Sequence, residues 1–166
     1  MSRKAHLPLL LLGVVLLLLG CGKKQEGPKI LTGWLTQDKL LMEMDNYRAD
    51  FDNYQPNEEA VAVLRSYEHD VDLLVFLGTW CPDCAREVPR FLKSIYAAAN
   101  PRLHVKLLAL DRSKRDPGGV AERFAIDHVP TFVVMVDGVE LGRIVETPSL
   151  TIEQDIALLL LGRSGT

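Results

Sequence analysis

The chain has 166 residues, 48% apolar and 25% charged, a balance that suits one folded domain and excludes a disordered chain. Arg3 and Lys4 are the only charged residues among the first 20, so residues 21–166 carry 17 basic against 22 acidic side chains. No basic stripe follows from that balance, which excludes a general nucleic-acid binder. Three cysteines, Cys21, Cys81 and Cys84, are too few for a disulfide scaffold.

The first segment reads as an address. Arg3 and Lys4 precede Leu7–Leu19, a run of Leu, Val, Pro and Gly that at 13 residues is shorter than the about 20 needed to span a bilayer. Leu18-Leu19-Gly20-Cys21 follows and resembles a bacterial lipobox, although Leu19 is larger than the usual residue there. The resemblance implies that residues 1–20 are a lipoprotein signal peptide and that Cys21 becomes a lipidated first residue. More than one acyl chain on it would give a stable anchor. An uncleaved helix, or an ordinary signal peptide with a chance cysteine, is the alternative. Residues 21–33, polar and holding Gly22, Gly27 and Pro28, then form a flexible tether, and residues 34–166 the domain.

Apolar residues at Leu40, Leu41, Met44, Tyr47 and Phe51 predict one helix over Asp38–Phe51. Gln55-Pro56-Asn57 breaks it, and Asn57 caps a second helix over Glu58–Glu68 with Val61, Leu64 and Tyr67 inward. Val71–Leu77 predicts a central strand covered on both faces. A turn at Gly78-Thr79-Trp80 leads into a helix over Cys81–Ala99, interrupted and kinked at Pro89. Leu103–Leu110 predicts a second strand, Asp111–Gly119 a solvated loop and Val120–Ala125 a short helix. Thr131–Val136 and Val139–Val145 predict two strands joined by the Asp137-Gly138 turn. Thr151–Leu161 closes as a helix, with Thr151 and Gln154 as a capping box and Ile152, Ile156, Leu159 and Leu160 inward.

A C-x-x-C pair between the first strand and its helix in such an order reads as a thioredoxin-like redox motif. Trp80-Cys81-Pro82-Asp83-Cys84, Pro89 five residues on, Val129-Pro130-Thr131 and Gly142 together resemble the thioredoxin superfamily over about residues 70–162. The implied fold is α/β and thioredoxin-like, a central mixed β-sheet flanked by helices, with extra N-terminal helices. Residues 30–69 show no clear first strand. Val75 stands where cytosolic members bury an aspartate, and the run Cys84-x-x-Glu87-x-Pro89 is similar to membrane-tethered thioredoxin-like reductases.

The chemistry follows from the sulfurs. A thiolate, not a thiol, attacks a disulfide, and a helix start favours the anion, so Cys81 is the expected nucleophile and Cys84 the resolving thiol. The alternative for the pair, half of a zinc site, lacks further ligands, since no second cysteine pair exists and His69, His104 and His128 are scattered. Between the thiols lie Pro82 and Asp83. The charge of Asp83 opposes a second anion and favours a more reducing couple, unless it faces water and is screened. Glu87, at i+3 from Cys84, either takes the proton of Cys84 or is a solvated carboxylate paired with Arg90. Trp80 is an apolar platform beside the thiols, or core filling.

The resemblance implies that Pro130 is cis and sets the backbone of Val129 beside the disulfide, where it can bind an extended client; a trans proline opening a strand is the alternative. No metal, flavin or nucleotide is implied, only a redox-active Cys81–Cys84 disulfide. The expected partners are a protein disulfide substrate, a membrane electron-donor protein and the membrane itself through the lipid anchor, and the domain is expected to be monomeric. The expected location is a bacterial membrane, facing the periplasm or the cell exterior. The expected function is a thiol–disulfide oxidoreductase, acting as a reductase. A copper-handling module of the same fold, using two soft thiolates with His128, and a non-catalytic binding domain are the alternatives.

Overall fold

Six of the seven residues of Val71–Leu77 are apolar, and that composition decides where the segment goes. The computed structural model describes residues 29–164 and places Val71–Leu77, strand β2, in the middle of a five-stranded sheet. The first strand, β1, is Gly33–Leu35; β3 is Leu103–Ala109, β4 Thr131–Val136 and β5 Val139–Val145. The order is β1-β3-β2-β4-β5, with β2 and β3 parallel and every other pair antiparallel. From Leu73 to Leu77 every side chain is buried, each contributing about 1.5–3 kcal/mol relative to exposure.

The helices are α1 (Gln37–Glu43), α2 (Asp45–Asn53), α3 (Glu58–Ser66), α4 (Pro82–Ala98), α5 (Val120–Arg123) and α6 (Ile152–Ser164). Helices α2, α3 and α6 pack around α4. Phe91 of α4 meets Phe132 of β4 at 5.3 Å between ring centroids. Val75 pairs directly with Phe132, so it lies on the face that α4 covers. Phe76 points the opposite way and meets Phe124 at 5.4 Å. This is the expected mixed sheet flanked by helices, with added N-terminal helices.

Local detail corrects several expectations. The chain does have a first strand: β1 pairs Gly33, Trp34 and Leu35 with Ala109, Leu108 and Leu107 at one edge of the sheet. Three residues are too few to show an alternating pattern. The single helix expected over Asp38–Phe51 is two. Met44, with φ −126° and ψ 93°, ends α1 and starts α2, and the break lets Leu40, Leu41 and Tyr47 all reach the core. Helix α4 runs through Pro89 without interruption. The capping box of α6 is half formed: Gln154 Oε1 accepts from the Thr151 backbone N–H at 3.2 Å. Asn57 caps α3 as expected, accepting from Ala60 N at 2.9 Å. Asp137 and Gly138 both take positive φ, the conformation that joins twisted antiparallel strands in two residues.

Candidate active site

Strand β2 ends at Leu77, and the turn that follows sets both sulfurs. Cys81 N donates to Gly78 O at 2.9 Å, closing the turn. Cys81 keeps an extended backbone and is the N-cap of α4, with Pro82 occupying the first helical position, where a missing N–H costs nothing. Cys84 follows one turn inside. Both are free thiols; Cys81 is 8% exposed and Cys84 fully enclosed.

The two sulfurs meet different partners. Cys81 Sγ donates to the Val129 carbonyl at 3.3 Å, and the Val129–Pro130 bond is cis. Cys84 Sγ accepts the Gly78 N–H at 3.2 Å. Burial pushes the Cys84 thiol well above the ordinary range; the Gly78 N–H opposes this, while the neighbouring Cys81 and Asp83 add to it. Cys84 is therefore a thiol at neutral pH and must lose its proton to act.

Arg86 organises the charges around the pair. Its Nη2 lies 2.9 Å from Asp83 Oδ1, offsetting part of the field that Asp83 casts on Cys84. Its Nε donates to Glu87 Oε1 at 2.6 Å, and Arg90 Nη1 stands 3.8 Å from the same oxygen. Glu87 is 3% exposed, so it is no solvated carboxylate, and its closer cation is Arg86 rather than Arg90. Arg86 Nη2 also reaches Thr147 Oγ1 at 3.3 Å, tying the helix to the loop after β5.

Trp80 is half-buried and donates from Nε1 to Leu110 O at 3.1 Å, with the Arg112 guanidinium 5.5 Å over its ring. A Cβ on Gly78 would stand 2.6 Å from the indole, so a glycine there lets the ring lie against the turn. Opposite, Glu146 N donates to Pro130 O at 2.7 Å and His128 Nδ1 lies 3.3 Å from Glu146. The structure thus brings Trp80, Cys81, Pro82, Asp83, Cys84, Glu87, Val129 and Pro130 to one end of β2. Among the described residues no group of three or more His, Cys, Asp or Glu is arranged to hold a metal ion. No helix among them is long and apolar enough to cross a membrane. Cys21 lies outside the described residues.

Two features of the site were not read from the sequence. Thr79 Oγ1 donates to Lys29 O at 2.8 Å and accepts from Leu31 N at 3.0 Å, pinning residues assigned to the tether against the active-site turn. Tyr47, on α2, is fully buried, and burial pushes its phenol far up, helped by the two nearby thiols. Its place in an apolar helical stripe marked it as core and nothing more.

The family model described as thioredoxin matches residues 35–156. Among solved structures, a protein of unknown function from Pseudomonas aeruginosa is 19% identical over 74% of this chain and 82% of its own, with a TM-score of 0.53. An HIV epitope scaffold is 19% identical over 74% and 83%, also with a TM-score of 0.53. Thioredoxin-2 of the malaria parasite, described as a component of its protein secretion machinery, is 23% identical over 55% and 82%, with a TM-score of 0.43. At these identities the likeness is one of fold. None of the curated proteins matches the chain.

Proposed function

The chain belongs to the thioredoxin family, and from that premise we propose that it is an extracytoplasmic protein-disulfide reductase working through Cys81 and Cys84. The family and the fold support the broader class, a thiol–disulfide oxidoreductase. The observation that carries the reading is the asymmetry of the thiols: Cys81, 8% exposed, caps a helix at its positive end, and the fully enclosed Cys84 follows one turn later.

In the proposed reaction the Cys81 thiolate attacks one sulfur of a client disulfide. A Cys81–client bond forms and the other client sulfur leaves as a thiolate. Cys84 then gives up its proton and attacks Cys81; the Cys81–Cys84 bond forms and the client is released as a dithiol. The protein ends oxidised by two electrons, which a membrane electron-donor protein returns by the same exchange in reverse. Trp80 and the Val129–Pro130 backbone flank the mixed disulfide as the client-binding surface, and Glu87 receives the Cys84 proton. The carboxylate of Asp83, partly offset by Arg86, favours the disulfide over a second anion and so a more reducing couple.

Catalysed reduction of insulin by the full-length chain tests this reading. A clear acceleration over dithiothreitol alone is expected, with a slower rate between pH 6 and 9 for Glu87→Gln. No acceleration, and no Cys81–Cys84 disulfide formed on oxidation, would overturn it. A couple titrating near about −270 mV fits a reductant, and one near about −120 mV reverses the direction of flow.

Lipidation of Cys21 belongs to the same proposal. Cys21 is eight residues from Lys29, whose carbonyl is held by Thr79 beside Trp80. Eight residues extend at most about 28 Å, so an anchored protein works close to the membrane surface. Cys21→Ala is expected to leave the membrane fraction for the soluble one; unchanged membrane retention would count against the anchor.

A further inference from the structure

The extra N-terminal helices bring one polar atom into the active-site interior. The hydroxyl of Tyr47 is fully buried and has no hydrogen-bond partner. A buried polar group without a partner destabilises a fold and calls for an explanation. Tyr67 shares the feature, but it precedes β2 whereas the cysteines follow it, so the length of the strand, about 20 Å, separates it from them. Tyr47 sits on α2, which packs along α4, and shares the core with Cys84.

We infer that Tyr47 is a positioning residue of the second exchange step, its hydroxyl donating a hydrogen bond to the Cys84 sulfur as that sulfur gives up its proton. The inference rests on the exchange reading above and adds to it the group that steadies the inner thiolate. Cys84 Sγ has the Gly78 N–H as a donor. A thiolate formed in that enclosure needs further donors, because burial penalises its charge. The phenol suits this role, since burial holds it protonated, so that it donates and does not compete as a base. The titratable groups acting on the inner sulfur are Cys81 and Asp83; those acting on the phenol are the two thiols. Glu87, one turn further along α4, is engaged by Arg86. The step balances without a further reactant. The Cys84 proton passes by way of Glu87 to the departing client sulfur, and the electron pair of Cys84 forms the new S–S bond.

Reaction of the reduced full-length chain with Ellman's reagent separates the two steps, in a Cys21→Ala background so that two thiols remain. The first thionitrobenzoate leaves when Cys81 attacks, at a rate that scales with reagent. The second leaves when Cys84 attacks the mixed disulfide, at a rate independent of reagent. With Tyr47→Phe the first phase should be unchanged between pH 6 and 9. The second should slow about tenfold, the weight of one hydrogen bond to a charged group, and its rise with pH should move upward. The melting temperature at pH 7 should not fall, since the substitution removes an unpartnered hydroxyl and keeps the ring. A second phase with the wild-type rate and pH profile would overturn the inference. So would an equal slowing of both phases, or a variant that no longer folds, either of which makes the hydroxyl structural. Absence of a second phase in the wild-type chain is a separate result and sinks the exchange reading itself.

Discussion

A Cys84→Ser chain is expected to accumulate client proteins covalently on Cys81, while Cys81→Ser loses disulfide reduction by at least about a hundredfold. The two outcomes differ because the sulfurs occupy different ground. Cys81, the less enclosed of the two, is the sulfur that the proposed exchange offers to a client, at the cap of α4 and 3.3 Å from the Val129 carbonyl. Serine there would be un-ionised at neutral pH, whereas a thiol supplies a usable fraction of strong nucleophile. Cys84 is enclosed and held as a thiol, so in the proposed exchange it meets no client directly and acts on a sulfur already bonded to Cys81. Removing it leaves the first step intact and blocks release. The check is a non-reducing gel of cells producing each variant, with dithiothreitol releasing the trapped species. Equal trapping by both variants, or none by Cys84→Ser, would contradict the assignment of roles.

The second large effect lies away from the sulfurs. Glu153→Ala is expected to destabilise the fold by about 3 kcal/mol and to lower the melting temperature by about 10 °C. Glu153 opens α6 and is fully buried. Its Oε1 accepts from Asn57 N at 2.8 Å and lies 3.1 Å from Tyr54 Oη; its Oε2 lies 3.0 Å from Ser94 Oγ. One carboxylate therefore ties α6 to the N-cap of α3, to the segment after α2 and to α4. It also stands at the starts of both α3 and α6, where helix dipoles favour negative charge. Burial and the Glu153 charge push the Tyr54 phenol up to about 12, which keeps it a donor. Alanine would leave the Asn57 N–H, the Tyr54 hydroxyl and the Ser94 hydroxyl without this acceptor. Glu153→Gln keeps one acceptor and should cost about 1 kcal/mol. Thermal unfolding followed by circular dichroism measures both. An alanine variant melting with the wild type would show that the cluster adds nothing to stability.

Strand positions and the dithiol were legible because they are local. β2, β4 and β5 begin and end at the expected residues, since each is an apolar run bounded by turn residues. Asn57 followed by two glutamates marks its helix start within four positions. The Cys81–Cys84 pair needs only its spacing and the strand before it. The break at Met44 was not legible, for no glycine or proline marks it. Beyond it α2 packs on α4, a partner far along the chain that no local pattern names. The burial of Glu87 was not legible either, because i+3 spacing from Cys84 is compatible with either side of a helix edge until the packing of α4 selects one.

Composition, period and motif were thus enough to locate the helices and strands from α3 onward and the sulfur that starts a helix, and the family resemblance supplied the mixed sheet with the cysteines at one end of its central strand. Those properties depend on residues within a few positions of one another. Tertiary structure alone decided that Glu153 is enclosed by groups up to 99 residues away, that Thr79 holds the segment before β1, and that the Tyr47 hydroxyl lies unpartnered where both thiols act on it. The physical reason is that burial of a charge or a hydroxyl is settled by whatever the other elements bring to it, and a helical stripe writes Tyr, Leu and Met alike.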